Sequence, residues 1–444
     1  MVDIILALIV LAAIMILGFI GNFIFNKTQI PSIIWLLLFG LIVGIIFNVR
    51  NIDPSIVMTI SQFFAAIAIV IILFDGGINT DLYQLFKGAP RGLLLSITAF
   101  SLSILGTMAV VVLLSATIIP SIPLEKSVIV GVILGAIVGG TSSPIVIPLA
   151  NRLRNLEEKT KMALSIESII TDPLCIVVVL AAFYMITLGN IDIALGIRNL
   201  ASTFSVGAVM GCVLGLIWLP IMHKTRRQEF SYFLTLAVVF LVYSFTTLVV
   251  GAESGGEGAG AIACLVFGLI LGNGKKVLKM LNYGDKEFEL DSQTKQFHSL
   301  ISFLIRTFFF VYLGMMVGFQ RIEFIVVGIA VLVVLLALRF GAIFLATYKG
   351  HFEKDDRQTM IVMMPRGLAA AILALNFGPN LVKELMPGMD GFFADAAFVV
   401  ILGTAIICTV GVSYIAYKEN HKVCLEKKAE EEIDRVIHTT EESD

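Results

Sequence analysis

The sequence predicts an all-α polytopic membrane protein with thirteen transmembrane helices. Three observations predict it. Of the 444 residues, 58% are hydrophobic and only 14% are charged, against roughly 25% charged in an average soluble domain. The mean hydropathy is +0.97. The apolar residues also fall into long continuous runs, where a β-barrel would alternate apolar and polar positions. The net charge of −2 excludes a basic nucleic-acid footprint. The five cysteines (Cys175, Cys212, Cys264, Cys408 and Cys424) show no metal or disulfide spacing, so they are expected to be small buried hydrophobes.

A bilayer core about 30 Å thick needs about 20 apolar residues per helix. Thirteen spans qualify, at about 4–24, 30–48, 54–75, 92–119, 126–150, 160–188, 199–222, 229–250, 257–273, 297–319, 322–347, 357–378 and 392–417. The first lacks a basic leader region and a small-residue cleavage site, so it is kept as a membrane helix rather than a signal peptide.

Loop charge sets the orientation. Of the 31 Lys and Arg residues, 18 fall in odd-numbered loops. Five fall in even loops: Arg50, Lys126, Arg198, Arg321 and Lys383. Five more lie in the tail after residue 417. The bias places odd loops and the C-terminus in the cytoplasm and the N-terminus outside, in a cell membrane. The tail, 418–444, is short and charged and is expected to be a solvated end.

The remaining three bases, Arg306, Arg339 and Arg366, lie inside spans with three acids, Asp75, Glu167 and Asp172. A charge at the bilayer centre costs at least about 2.5–3.5 kcal/mol and so points to function. Three acids and three bases can neutralise one another in pairs.

Span 6 carries Glu167-Ser168 and then Thr171-Asp172. Ser168 and Asp172 are four apart and share a helix face. A carboxylate with hydroxyls and freed backbone carbonyls suits a hard monovalent cation. Span 5 is interrupted by Gly139-Gly140-Thr141-Ser142-Ser143-Pro144, and span 12 by Met364-Pro365-Arg366-Gly367. Proline removes a donor and disfavours helix in the residue before it. Broken helices at membrane depth are tolerated where they line a site, and two of them in corresponding halves point to an inverted-repeat secondary transporter. Phe74-Asp75-Gly76-Gly77 in span 3 and Tyr312-Leu313-Gly314 in span 10 add a faint repeat at the same offset of seven spans.

These residues resemble the cation:proton antiporter superfamily, in particular the archaeal and bacterial sodium/proton antiporters of the NhaP type (monovalent cation:proton antiporter 1 family). The resemblance rests on Ile30-Pro31, Leu73 to Gly77, the Ser143-Pro144 break, Glu167-Ser168 with Thr171-Asp172, Phe308 to Gly314, Ala337-Leu338-Arg339 and Pro365-Arg366-Gly367. It implies the NhaA/NhaP-like antiporter fold over 1–417. Spans 1–3 and 8–10 would form an interface domain that builds a homodimer. Spans 4–6 and 11–13 would form the ion-carrying core, with span 7 as linker.

The resemblance also implies roles. Asp172 would take cation and proton in turn by alternating access, with Na+ or K+ held at Asp172, Ser168 and Ser142. Thr171 and Ser143 stand beside this set, and Asp75 would sit on the water path. Glu167 would pair with Arg339. No cofactor is implied. The sequence departs from the family in having Ser143 where an acid usually precedes the proline, Thr171 where Asn or Asp usually precedes the binding acid, and an arginine at 306. A neutral residue before the binding acid accompanies electroneutral one-for-one exchange in the family. Sodium is the expected cation, with potassium as the alternative.

From other classes, an intramembrane enzyme would need a motif such as His-Glu-x-x-His or Gly-x-Ser-x-Gly, and neither occurs. His223 and His298 lie near span ends beside basic loops and are expected to be solvated. A cation channel fits less well than a carrier, because one mid-span acid within an internal repeat suits alternating access. Regulated potassium efflux systems commonly carry a large nucleotide-binding C-terminal domain, which the short tail does not supply.

Overall fold

The computed structural model describes residues 2–28, 30–49, 55–81, 90–118, 122–153, 155–187, 193–225, 231–251, 256–280, 292–318, 321–348, 350 and 352–441. Outside them lie the loop cations Arg50, Lys87, Arg154, Arg226, Arg227, Lys286 and Lys349. The side chains of His223, Lys295, His298, Cys424 and the tail beyond His421 are outside the described set as well.

Among the described residues there are seventeen helices and no strand. The first four are α1 (Val2–Thr28), α2 (Ser32–Val49), α3 (Ser55–Ile78) and α4 (Pro90–Ser115). Then come α5 (Leu124–Ile137), α6 (Ser143–Arg152), α7 (Glu158–Thr187), α8 (Ile193–Thr225) and α9 (Ser231–Val250). They are followed by α10 (Gly256–Gly272), α11 (Gly274–Met280), α12 (Ser292–Met316) and α13 (Ile322–Thr347). The last are α14 (Lys354–Val362), α15 (Leu368–Asn376), α16 (Gly378–Leu385) and α17 (Phe392–Glu441).

Each predicted span falls on one helix, except two. Span 5 is split into α5 and α6, and span 12 into α14 and α15, so the two interruptions are real breaks. Among the described residues, seven helices are long and apolar enough to cross a membrane, and four shorter apolar helices stand beside them. The chain is therefore a multi-pass membrane protein. Two short helices, α11 and α16, were not anticipated. The tail does not leave the last helix: α17 runs unbroken to Glu441, through a stretch of Glu, Lys and Ala, which are strong helix formers. The four described cysteines are free thiols, and three of them, Cys175, Cys264 and Cys408, are buried.

The packing repeats at an offset of seven spans. Helix α12 packs on α2, and α3 packs on α10. Glycines make both approaches close. A Cβ on Gly314 would lie 2.3 Å from the Leu37 carbonyl oxygen, and one on Gly268 would lie 2.6 Å from the Phe74 carbonyl oxygen. The second group obeys the same rule, with α7 on α4 and α17 on α13, while α4 and α13 pack on each other across the pseudo-axis. Helix faces turned away from these contacts expose large apolar residues such as Leu113, Leu248 and Ile322, as a lipid-facing surface would.

Candidate ion-binding site

Helix α5 stops at Ile137, and α6 restarts at Ser143 with Pro144 in its first turn, where a missing N–H costs nothing. Helix α14 stops at Val362, and α15 restarts at Leu368. The two extended stretches meet. The Ser142 amide donates to the Pro365 carbonyl at 2.8 Å. A Cβ on Gly367 would come within 2.9 Å of Ser142 Cβ, so this crossing has no room for a side chain at 367.

A break leaves unpaired carbonyls and a partial negative charge at the end of each first half-helix. An arginine answers each end. The Arg366 guanidinium donates to the Gly139 carbonyl at 2.6 Å and the Gly140 carbonyl at 3.1 Å, beyond the end of α5. Its own backbone amide donates to the Thr404 hydroxyl at 3.1 Å. Arg339 donates to the Met360 carbonyl through Nε at 3.1 Å and through Nη2 at 3.0 Å, and to the Met363 carbonyl at 3.2 Å, at the end of α14. The same guanidinium forks onto both Glu167 carboxylate oxygens, one of them at 2.8 Å from Nη2. Glu167 and Arg339 are 1% and 4% exposed, so this is a fully desolvated pair that ties α7, α13 and α14 together.

The other face of α7 turns to the break in α5. The Thr171 hydroxyl accepts from the Thr141 amide at 3.0 Å and donates to the Glu167 carbonyl at 2.9 Å. The Ser168 hydroxyl donates back to the Ser165 carbonyl at 3.0 Å. Both side chains are fully buried. The Asp172 carboxylate lies against Gly140, whose imagined Cβ would be 3.3 Å from Asp172 Oδ1 and 2.7 Å from Cys175 Sγ.

Asp172 lines a cavity of about 910 Å³ with Asp75, Ser142, Ser143, Pro144 and Arg306. Asp75 accepts from the Asn79 side-chain amide at 2.8 Å, one helical turn on. The cavity mouth carries Lys275 and the Lys276–Asp81 ion pair at 2.6 Å. The Asn273 side-chain amide donates to the Thr80 carbonyl at 2.8 Å and fixes that rim.

Five of the predicted site residues thus share one cavity: Asp75, Ser142, Ser143, Asp172 and Arg306. Ser168 and Thr171 stand behind Asp172 in the packed interior, and Glu167, Arg339 and Arg366 are buried around the crossing. The sequence reading did not single out Asn79, Thr404 or the pinning role of Thr141. Asn79 was open to an i,i+4 reading from Asp75; Thr404 carries no local signal. Chemically, Asp172 is a carboxylate at a helix break that shares a cavity with two hydroxyl residues, Ser142 and Ser143. It can take one proton or hold one hard cation through oxygen ligands.

Residues 9–417 match the family described as sodium/hydrogen exchanger, transmembrane. Among characterised or named relatives, the chain is 25% identical over 401 residues to the probable Na(+)/H(+) antiporter 2 of Methanocaldococcus jannaschii, covering 86% of this chain and 90% of that one. It is 26% identical over 418 residues to Na(+)/H(+) antiporter 1 of the same organism, covering 90% of each. It is 24% identical to the K(+)/H(+) antiporter NhaP of Alkalimonas amylolytica over 83% of this chain and 60% of that one. The fold superposes on the sodium proton antiporter MjNhaP1 from Methanocaldococcus jannaschii at pH 8 with a TM-score of 0.72, covering 94% and 97% of the two chains at 22% identity.

Proposed function

The chain belongs to the sodium/hydrogen exchanger family, and from that premise we propose that it exchanges Na+ for H+ one for one, with Asp172 as the carboxylate that carries either ion. The observation that carries this reading is the placement of Asp172. It is 8% exposed, it lies beside the break between α5 and α6, and it lines the cavity of about 910 Å³ with Ser142 and Ser143. A proton and a cation compete for the same oxygens, so loading one requires release of the other.

Ser142 and Ser143, which line the same cavity, supply side-chain oxygens, and Ser168 and Thr171 are buried on α7 beside Asp172. Asp75 lies on the water path from the mouth. The Glu167–Arg339 pair and Arg366 keep the two broken helices in one rigid body. The loop charge bias places the cavity mouth, at the ends of α3 and α10, on the cytoplasmic side, so this is an inward-open state. Release to the other side needs the core helices α4–α7 and α13–α17 to move against α1–α3 and α9–α12, the latter group forming the homodimer contact and α8 the link.

The test is proton flux in proteoliposomes holding the full chain, followed by a pH-sensitive dye on addition of Li+, Na+, K+ and Rb+ in turn. Na+-driven proton movement is expected. A response to K+ alone assigns the chain to potassium/proton exchange instead, a second reading favoured by one relative, the K(+)/H(+) antiporter NhaP of Alkalimonas amylolytica. Cation flux that needs no proton gradient and carries current overturns the carrier reading.

A further inference from the structure

Arg306 differs from the other two buried arginines. Arg339 and Arg366 spend their donors on the carbonyl ends of broken helices. Arg306 lines the cavity with Asp75 and Asp172. Its depth follows from the pairing of α3 with α12. The Tyr312 phenol meets the Ser61 hydroxyl, and Phe64 stacks on Phe308 with ring centroids 5.0 Å apart. The two helices are therefore antiparallel, and Arg306 roots level with about residue 66. At a rise of 1.5 Å per residue, Asp75 stands about 13 Å nearer the mouth. Asp172 is at the level of Asp75, because a Cβ on Gly76 would lie 3.7 Å from Pro173 and 3.9 Å from the Ile169 carbonyl oxygen. The Arg306 backbone thus lies deeper than both acids, and its side chain, directed toward the N-terminal end of α12, rises from there into the cavity.

Its electrical surroundings are simple. The ionisable groups lining the same space are Asp75, Asp81, Asp172, Tyr232, Lys275 and Lys276. Asp81 is engaged by Lys276 at the mouth. The neighbouring helices α2 and α15 carry no ionisable residue. On α1, Lys27 lies over the Phe23 ring at the helix end. On α17, Asp395 accepts from the Gly318 amide at 3.2 Å. Among the described residues this leaves two carboxylates and one guanidinium in the cavity lining, with the Arg366 guanidinium behind Asp172 on the Gly139 and Gly140 carbonyls. An arginine does not release its proton in a protein, so this positive charge stays on while the ions exchange. Holding it at membrane depth is costly, which marks it as functional.

Resting on the functional reading above, we infer that Arg306 is a specificity-determining residue. It is a fixed counter-charge that offsets Asp75 in the cavity lining, and through that offset it sets both the cation affinity and the pH range of exchange. It repels an arriving cation and stabilises ionised Asp172 against protonation. A unit charge about 10 Å away, at an effective dielectric constant of about 20, changes a binding constant by roughly tenfold.

The test uses the purified full-length chain, with equilibrium binding of radioactive Na+ and exchange in proteoliposomes, each over a series of pH values. Arg306→Gln is expected to tighten Na+ binding in the alkaline limit by roughly tenfold and to move the half-active pH up by about one unit. Arg306→Lys keeps the charge and is expected to stay near wild type. Asp75→Asn is expected to shift both quantities the other way, and the double variant to return close to wild type. If the uncompensated Arg306→Gln chain does not fold, the same roughly tenfold tightening is read between Asp75→Asn and the double variant. Unchanged affinity and pH midpoint in Arg306→Gln, or a Lys variant that behaves like Gln, overturns the inference. A wild-type chain that binds no Na+ overturns the functional reading itself, which is a different result.

Discussion

The backbone of Ser142 is hydrogen-bonded to the backbone of Pro365 at 2.8 Å, so the two broken helices are joined at their breaks. Each contributes what the other lacks. Proline has no N–H to give but its carbonyl accepts, and the neighbouring Arg366 satisfies the loose carbonyls of Gly139 and Gly140. Backbone that would be intolerable in lipid is paid for within the crossing itself. Asp172 lies beside this cross, with its carboxylate against the Gly140 backbone.

The crossing should not accept a methyl group. Gly140→Ala and Gly367→Ala place a Cβ 2.7 Å from Cys175 Sγ and 2.9 Å from Ser142 Cβ. Overpacking of this kind typically costs about 1–3 kcal/mol. Both variants are expected to melt lower and to lose most of their exchange. Gly341→Ala is the control, since nothing lies within 4 Å of its imagined Cβ. Equal melting temperatures for all three would show that the crossing is looser than these distances require.

Asp172→Asn keeps the size of the side chain and removes its charge. Exchange is expected to vanish, because neither ion can then be held by a negative oxygen. The melting temperature should hold or rise, since a buried charge 8% exposed has been removed. Proteoliposome flux and thermal unfolding in detergent measure the two effects separately. Residual exchange above a tenth of wild type, as a rough bound for a sole carrier of charge, would move the titrating role to Asp75.

Glu167→Ala strands the Arg339 guanidinium in a dry interior. Removing one member of a buried pair costs about 3–5 kcal/mol, so this variant should unfold at a markedly lower temperature than Asp172→Asn. Arg339→Ala should be worse still. It leaves Glu167 unpaired and also uncaps the Met360 and Met363 carbonyls at the end of α14. Glu167→Gln is expected to be milder, because the amide oxygen still accepts from the fork. The order of the three melting temperatures is the measurement.

Local chemistry explains what the sequence disclosed. Pro144 and Pro365 each stand near glycines, and that combination marks both interruptions, whereas Pro148, Pro173 and Pro220 lie inside continuous helices. The charges were legible too, because Asp172 and Arg306 are ionisable residues inside long apolar spans. The arginine caps were not legible. Arg366 reaches Gly139 and Arg339 reaches the Met360 carbonyl only after the halves of the chain pack together, and no spacing rule connects them; the Glu167–Arg339 pair is implied by the family resemblance rather than by spacing. Ser168 shows the converse limit. Its i,i+4 relation to Asp172 is a true feature of the helix, yet its hydroxyl donates to its own backbone at Ser165. A periodicity argument places a side chain on a face but does not say which acceptor it takes.

The number of charges in the cavity bears on how exchange responds to voltage. Glu167 is committed to Arg339, and position 143, just before the break proline, is a serine rather than an acid. Thr171, before the binding acid, is neutral and its hydroxyl is already bonded to Thr141 and Glu167. Asp356 and Asp395 are bonded to Thr160 and the Gly318 amide, away from the cavity lining, so on the core proposed to move this leaves Asp172 as the cavity carboxylate that changes partners. One carboxylate takes one proton or one monovalent cation, so each half-cycle carries the same charge and the net movement is zero. Asp75 does not alter the count, because it stands on α3, outside the group proposed to move. The expectation is exchange that ignores membrane potential. The measurement is the reversal point of proton flux in proteoliposomes clamped at several potentials by an ionophore for a non-substrate ion. A reversal point set only by the Na+ and H+ gradients supports one-for-one exchange. A reversal point that moves with the clamp would mean that a second proton crosses with Asp172, and the first residue to test for it would be Cys175, whose Sγ lies next to the same Gly140 backbone.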